Sequence, residues 1–314
     1  MPSVNFMKEP IKNSICRALK CSGVSWCYEK AQAIRGNSPL SILLFHRVTD
    51  EVPEDGLTVS TGRFESLCGM LARKFNVISL AEASSLVTSG KTIPPRTAAI
   101  TFDDGYRDNL DAALILRRFR LPACFFVTVG YVGTKRAFPW DNPKQPLPIL
   151  NWDELRDLER MGFEIGSHTL THPDLGTATP ETIRQELSES KRILDKRLRK
   201  PVRWFAYPYG GPEHFNQNGA VAAGDAGYDG CFSGHGGYVF HGNRAFVLPR
   251  IPIAPKNNLR LEAELSGSLR WAKSLRRRLP IFRGEPDPVV ERQVKDHRKI
   301  AMAQAQVSFG QARR

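Results

Sequence analysis

Short apolar runs alternate with amphipathic stretches between about residues 40 and 255. The runs LSILLFHRV (residues 40–48), TAAITF (residues 97–102) and ACFFVTV (residues 123–129) have the length and composition of buried strands. The stretch RFESLCGMLARKF (residues 63–75) instead repeats apolar residues at helical spacing. This alternation predicts βα units and a mainly parallel sheet.

The same alternation continues to about residue 255. Further strands are predicted over NVISL, FEIGSHT, VRWFAYPYG, GCFSG and FVLPRIPI, and further helices over AEASSLVTSG, RDNLDAALILRRFR, WDELRDLERMG, TPETIRQELSESKRILDKRLRK and FNQNGAVAAGDAGY. About seven or eight strands, most of them followed by a helix, favour an α/β barrel over a sandwich. The periodicity weakens past Lys256, which predicts an N-terminal basic extension (1–38), a catalytic domain (39–256) and a basic C-terminal tail (257–314).

Charge changes this picture only at the two ends. The 314-residue chain has a formal net charge of +13, of which residues 1–40 carry +4, residues 256–314 carry +8 and the middle only +1. We expect a helical or disordered tail, in which LRWAKSLRRRLPIFR (residues 269–283) could lie on an anionic membrane surface. A solvated basic tail is the alternative.

The N-terminal region has no apolar core of the kind found in secretory signals. We therefore expect a cytoplasmic location, with peripheral attachment to the inner membrane surface through the tail as an option.

Two adjacent carboxylates, Asp103 and Asp104, follow the predicted strand TAAITF directly. Adjacent carboxylates repel each other unless something binds beside them, although an N-cap role for the next helix would also explain the pair. Reactive groups of α/β barrels gather where strands end. His46 follows the apolar run SILLF, and His168 and His172 follow FEIGS, so we expect one shared rim.

The motif SHTLTH places His168 and His172 four residues apart, a spacing that lets two imidazoles bind one metal ion. Pro173 disfavours helix at His172, so the turn must be short. Two imidazoles and one carboxylate form a facial metal site with open positions. The sequence therefore predicts a metal centre that includes one of the two aspartates.

Together, TFDDG, SHTLTH and YPYG resemble the polysaccharide deacetylase (NodB-homology) family over about residues 40–255. LLFHRV, FPWD and NWDEL look most like the branch that includes poly-N-acetylglucosamine deacetylases. The resemblance implies a distorted (β/α)7 barrel. It also implies metal-dependent hydrolysis of N-acetyl groups on amino sugars of a polysaccharide, an oligosaccharide or a glycolipid intermediate.

The resemblance also implies residue roles. Asp103 would be the general base, and Asp104, His168 and His172 would be the metal ligands. The backbone N–H of Tyr209 would donate to the oxyanion. We expect one divalent metal ion, with Zn²⁺ as first choice and Co²⁺, Fe²⁺, Mn²⁺ and Ni²⁺ as alternatives.

Two positions depart from the family pattern. Ala206 stands where many members carry an arginine that steadies the catalytic aspartate. Arg250 in LPRIPI could substitute, with Arg203 the weaker candidate and a surface ion pair the alternative for Arg250. The late leucine-x-histidine motif is absent, and His46 matches a position from which a histidine could act as general acid. A structural histidine at a strand end is the alternative.

Trp140, Tyr209 and Gly210 are the predicted substrate-binding residues, although Trp140 could instead be a buried structural residue. The expected partner is an N-acetylated carbohydrate. Two other functions remain open: a metal-dependent amidase for a small non-sugar amide, and a basic membrane- or nucleic-acid-binding protein on this scaffold. The neutral middle and the lack of a nucleic-acid motif argue against nucleic acid.

Overall fold

The computed structural model describes residues 14, 17, 18, 21–215, 217–235, 237–241, 246–253 and 257–268. The segment 269–283, for which membrane contact is predicted, lies outside these residues. No helix in the described part of the chain combines the length and the apolar composition needed to cross a bilayer.

The described elements follow the predicted alternation of strands and helices. The strands are β1 (Leu40–Phe45), β2 (Arg47–Val48), β3 (Thr58–Val59), β4 (Asn76–Val77), β5 (Thr97–Phe102), β6 (Cys124–Val127), β7 (Glu164–Ser167), β8 (Trp204–Ala206), β9 (Gly230–Phe232), β10 (Val247–Leu248) and β11 (Ile251–Pro252). The helices are α1 (Val24–Ile34), α2 (Thr61–Lys74), α3 (Leu80–Thr88), α4 (Asn109–Arg118), α5 (Trp152–Arg160), α6 (Pro180–Leu198), α7 (Gln217–Asp225) and α8 (Asn258–Leu265), with a 3₁₀ turn at Pro212–His214.

One parallel sheet forms the centre of the molecule. Its strand order is β10-β9-β8-β7-β6-β5-β1-β11, with β4 paired to β5, whereas β2 and β3 pair separately. The segments β10 and β11 lie at opposite edges of this order, yet only Pro249 and Arg250 separate them in the chain. The sheet is therefore curled so that residues 249–250 connect its two edges. This curled sheet is the predicted distorted barrel.

Two predicted strands are interrupted in the structure. FVLPRIPI was expected to form one strand, but Pro249 and Arg250 divide it into β10 and β11, which pair with different neighbours. Proline cannot donate to a strand ladder, so pairing is broken at that point. The predicted strand 40–48 ends at Phe45, and Arg47 and Val48 pair instead with β3.

Both faces of the sheet are buried, which explains why its strands are continuous apolar runs. All six residues of β1 and of β5 are buried. One core cluster lies between the sheet and helices α2, α4, α5 and α6, and includes stacked Phe45, Phe102 and Phe125 with neighbouring ring centroids 5.3 and 4.7 Å apart. The other, on the opposite face with α3, includes Phe126 and Trp204.

Helix α8 packs against the barrel at the end where its strands begin. Leu261 and Leu265 are buried in the larger core cluster, and Lys74 pairs with Glu262. Ser41 at the start of β1 donates its hydroxyl proton to the carbonyl of Leu265. The predicted boundary at residue 256 stays a prediction, but the first helix beyond it contributes to the core.

Replacing Leu265 by alanine should lower the free energy of unfolding by about 2–5 kcal/mol, because the side chain is fully buried and its removal leaves a cavity. Denaturant unfolding of the full chain measures this loss. Leu114→Ala is the matched control, since Leu114 on α4 is 50% exposed and should change stability by about 0.5 kcal/mol or less. Equal effects of the two substitutions would contradict the packing of α8.

Candidate metal centre and active-site pocket

A cavity of about 290 Å³ opens where strands β1, β5 and β7 end. The predicted residues that line it are His46, Asp103, Asp104, Trp140, His168, His172 and Tyr209. Arg250 lies behind Asp103, and Gly210 directly follows Tyr209. The structure thus brings together side chains that are up to about 200 positions apart in the sequence, because the carboxyl ends of parallel strands share one edge of the sheet.

Asp104, His168 and His172 converge on one point. Asp104 Oδ1 lies 3.4 Å from Nε2 of each histidine, and all three residues are buried. The ring of His168 is oriented by its other nitrogen, since Nδ1–H donates to the carbonyl of Ala206 at 2.8 Å. Nε2 of His168 therefore presents its lone pair to the centre, as a metal ligand requires.

The protonation states of His168 and Asp104 fit a divalent cation. Burial lowers the pKa of His168 to about 4, so its imidazole is neutral at pH 7. Burial raises the pKa of Asp104, but a hydrogen bond from His172 and nearby histidine charges outweigh it and leave that pKa at about 2. Asp104 Oδ2 is buried and has no hydrogen-bond partner among the described residues. Two imidazoles and an ionised carboxylate with an unpaired oxygen suit a divalent transition metal.

Strained backbone is concentrated around this centre. Asp104, Thr169, His172 and Tyr209 have φ values of 73°, 67°, 63° and 58°, in the left-handed region that non-glycine residues seldom adopt. Each such conformation costs on the order of 1–3 kcal/mol and persists only where the surrounding structure imposes it. Four of them in or next to one pocket indicate that the fold holds these residues in place against local preference.

Asp103, the predicted general base, forms a buried bidentate ion pair with Arg250. Both oxygen–nitrogen distances are 2.7 Å, and Arg250 also donates to the carbonyl of Ser233 and the hydroxyl of Thr101. Burial raises the pKa of Asp103, but the Arg250 guanidinium and neighbouring histidines hold it below its ordinary value. Arg250 is 0% exposed, so its ion pair with Asp103 is buried and not at the surface. Arg203, the weaker candidate, pairs with Asp229 at the surface instead.

His46 lies just past the end of β1 and faces the same pocket. Its backbone is fixed by Asn109, whose side-chain amide donates to the His46 carbonyl at 2.9 Å. Among the described residues, no hydrogen bond involves the imidazole ring, so the ring is available to a substrate. Its role as general acid stays a prediction.

The turn after β8 supplies a backbone donor. The N–H of Tyr209 has no hydrogen-bond partner within the described ranges, whereas the carbonyl of Gly210 accepts from both Gly234 N–H and His235 Nδ1. Gly210 has a φ of 66°, and a Cβ there would lie 2.3 Å from the Gly234 backbone. Glycine is therefore required at this position, and the turn leaves the Tyr209 N–H available as a donor.

Trp140 lies at the mouth of the pocket as the last ring of an aromatic stack. Tyr131, Phe138 and Trp140 are nearly parallel, with successive centroids 4.5 and 4.8 Å apart. The indole N–H of Trp140 donates to the hydroxyl of Tyr106, which donates to Asp141. The half-buried indole is thus fixed on one face and at its edge, and its role in substrate binding stays a prediction.

Arg47 was not predicted from the sequence as a site residue. In the structure it forms ion pairs with two segments that line the pocket. Its guanidinium contacts Asp141 at 3.1 Å and Asp55 at 2.9 Å. Asp141 follows Trp140, and Asp55 precedes the pocket-lining residues Gly56 and Leu57. The acidic residue directly after FPW was the only sequence signal for this bridge, and nothing in the sequence indicated its partner.

A sequence model described as polysaccharide deacetylase matches residues 90–231. The Bacillus subtilis protein YxkH is 26% identical over 218 residues, which cover 69% of this chain and 72% of that protein. Poly-beta-1,6-N-acetyl-D-glucosamine N-deacetylase of Staphylococcus aureus is 29% identical over 164 residues, 49% of this chain. The match spans only 54% of the length of that relative.

Two solved structures share the fold. The Streptococcus pyogenes deacetylase PplD, in complex with acetate, has a TM-score of 0.64 and 23% identity, and the alignment covers 72% of this chain and 98% of PplD. IcaB from Ammonifex degensii has a TM-score of 0.62 and 20% identity, and the alignment covers 73% of this chain and 97% of IcaB. These likenesses confirm the predicted α/β barrel.

Replacing Arg250 by methionine should lower the free energy of unfolding by about 3–5 kcal/mol at pH 7, because it leaves the buried Asp103 carboxylate without its counterion. Arg203→Met is the control, since its exposed pair with Asp229 contributes about 0–1 kcal/mol. Chemical denaturation of both variants measures the difference. A loss no larger for Arg250→Met than for Arg203→Met would show that the buried pair is not the stronger contact.

Proposed function

We propose that the chain belongs to the polysaccharide deacetylase family and that it hydrolyses N-acetyl groups on the amino sugars of a glycan, releasing acetate and a free amine. The observation that carries the proposal is the pairing of two carboxylates with distinct surroundings. Asp104 faces two imidazoles, and beside it Asp103 is held by an arginine. A metal centre with an adjacent fixed base is what amide hydrolysis requires.

The residues of the pocket divide the proton transfers among them. When bound by Asp104, His168 and His172, a divalent ion supplies Lewis acidity toward the amide carbonyl. Asp103, ionised beside Arg250, accepts a proton from the attacking water. The N–H of Tyr209 donates to the oxygen on which negative charge develops.

Collapse of the tetrahedral intermediate breaks the carbon–nitrogen bond, and the leaving amine then needs a proton. His46 faces the same pocket and supplies it. The products are one acetate and one free amino group for each water consumed. Zn²⁺ is the proposed ion because the ligand set of two nitrogens and one oxygen suits it, with Co²⁺, Fe²⁺, Mn²⁺ and Ni²⁺ as alternatives.

Polymers of N-acetylglucosamine are the proposed substrate class. The S. aureus relative is named for poly-beta-1,6-N-acetyl-D-glucosamine, which supports this choice. The fixed, half-buried ring of Trp140 at the pocket mouth supports a sugar substrate, since aromatic faces stack on the apolar faces of pyranose rings.

Asp103→Asn and Asp104→Asn should fail in different ways. Asp103→Asn removes the base but no ligand, so bound metal should stay equimolar while acetate release falls by about 10²–10⁴-fold. Asp104→Asn should lose the metal together with the activity. Metal analysis is paired with an acetate assay on N-acetylglucosamine oligomers. Wild-type protein that binds no divalent metal, or an active Asp103→Asn variant, would refute the proposed mechanism.

Replacing Trp140 by alanine should raise KM for N-acetylglucosamine oligomers by roughly 3- to 10-fold, because a stacking contact is worth about 0.5–1.5 kcal/mol. Turnover of a small acetate ester that has no sugar ring should change little. Trp26→Ala on α1 is the control, since Trp26 is 63% exposed and does not line the pocket. A rise in KM of equal size for the ester would refute the stacking role.

A further inference from the structure

A buried carboxylate lies beneath the loop that joins the two metal-ligand histidines. Glu186, on helix α6, is only 7% exposed. Its Oε2 accepts from the backbone N–H groups of Leu170 and Thr171, both at 2.8 Å, and its Oε1 accepts from the Thr171 hydroxyl at 2.6 Å. A single side chain therefore satisfies three donors of the five-residue segment 168–172.

The opposite side of this segment is fixed by the strand next to it. The N–H groups of Val129 and Gly130, just past β6, donate to the carbonyls of Thr169 and Leu170 at 3.1 and 2.7 Å. Glu186 binds the donors of the loop, whereas the end of β6 binds its acceptors. The loop is held from both sides, and only the α6 side uses a charged group.

The loop needs such support because its backbone is strained. Thr169 and His172 are in the left-handed region, at a cost on the order of 1–3 kcal/mol each. Pro173 follows and limits how the chain can compensate. Without its anchor the segment would relax toward an ordinary turn, which would carry the His172 ring away from Asp104, now 3.4 Å distant.

We propose that Glu186 is a positioning residue for the metal centre: its carboxylate holds residues 170 and 171 so that the His172 ring faces His168 and Asp104. This inference rests on the proposed function only in requiring that the centre bind a metal. It does not depend on the substrate. Groups that orient metal ligands typically change metal affinity by about 10- to 100-fold when removed.

The test is the Zn²⁺ affinity of the full-length protein, measured by competition with a chromophoric chelator. Glu186→Ala should weaken Zn²⁺ binding by about 10- to 100-fold. Glu186→Gln should stay within a few-fold of wild type, because its carbonyl oxygen can accept both N–H groups while its amide donates to the Thr171 hydroxyl. Glu189→Ala is the control on the same helix, since Glu189 pairs with Arg192 at the surface, and it should leave the affinity unchanged.

Two further measurements separate positioning from a merely structural role. In Co²⁺-loaded protein, the visible absorption bands should shift for Glu186→Ala and not for Glu189→Ala, because they report ligand geometry. Thermal unfolding of the metal-free variants reports the fold. A Glu186→Ala variant that is less stable but binds Zn²⁺ like wild type, with unchanged Co²⁺ bands, would overturn the proposal.

If the alanine variant does not fold, Glu186→Asp tests the same proposal. It preserves the charge but draws the acceptors back by one methylene, so we expect affinity about tenfold weaker. Unchanged Zn²⁺ affinity in Glu186→Asp would then refute the positioning role. Absence of Zn²⁺ binding in the wild type would instead refute the metal centre itself.

Discussion

The buried ion pair between Asp103 and Arg250 connects the architecture of the barrel to its chemistry. A carboxylate at the dry end of β5 is stable only with a counterion, and the counterion comes from the two-residue link between the strands that form the two edges of the sheet. The segment that joins the two edges of the sheet therefore also supplies the counterion of the predicted base. The same guanidinium also binds Ser233 and Thr101, so it fixes the aspartate in orientation as well as in charge.

Several residues around this pair have a strained backbone, and contacts from neighbouring segments hold them in place. Asp104, Thr169, His172 and Tyr209 adopt backbone conformations that their own residue types disfavour. Thr169 and His172 lie in a segment that is anchored from outside, by α6 through Glu186 and by the residues just past β6 through Gly130. The packing of helices and strands stabilises the fold, and this stability offsets the cost of the strained backbone in the loops at the rim.

The sequence predicted the parts of the molecule whose signals are local. Buried strands appear as apolar runs, and His168 and His172 appear as a spaced pair whose geometry depends on five consecutive residues. Arg250 could be proposed because it lies in the last predicted strand, although its partner emerged only from the closed sheet. The division of residues 246–253 into two strands depends on neighbours at opposite edges, which no local pattern encodes. For the same reason Arg47, which contacts Asp141 94 positions away, and Glu186 were not found.

The two-residue link also sets an order in time. During synthesis on the ribosome, β1 and β5 to β9 emerge before the segment that contains β10, Arg250 and β11. Until residue 253 has left the exit tunnel, the nascent chain has two open sheet edges and an aspartate without its cation. A chain that ends before Arg250 therefore contains β1 and β5 to β9 but cannot form the ion pair that holds Asp103.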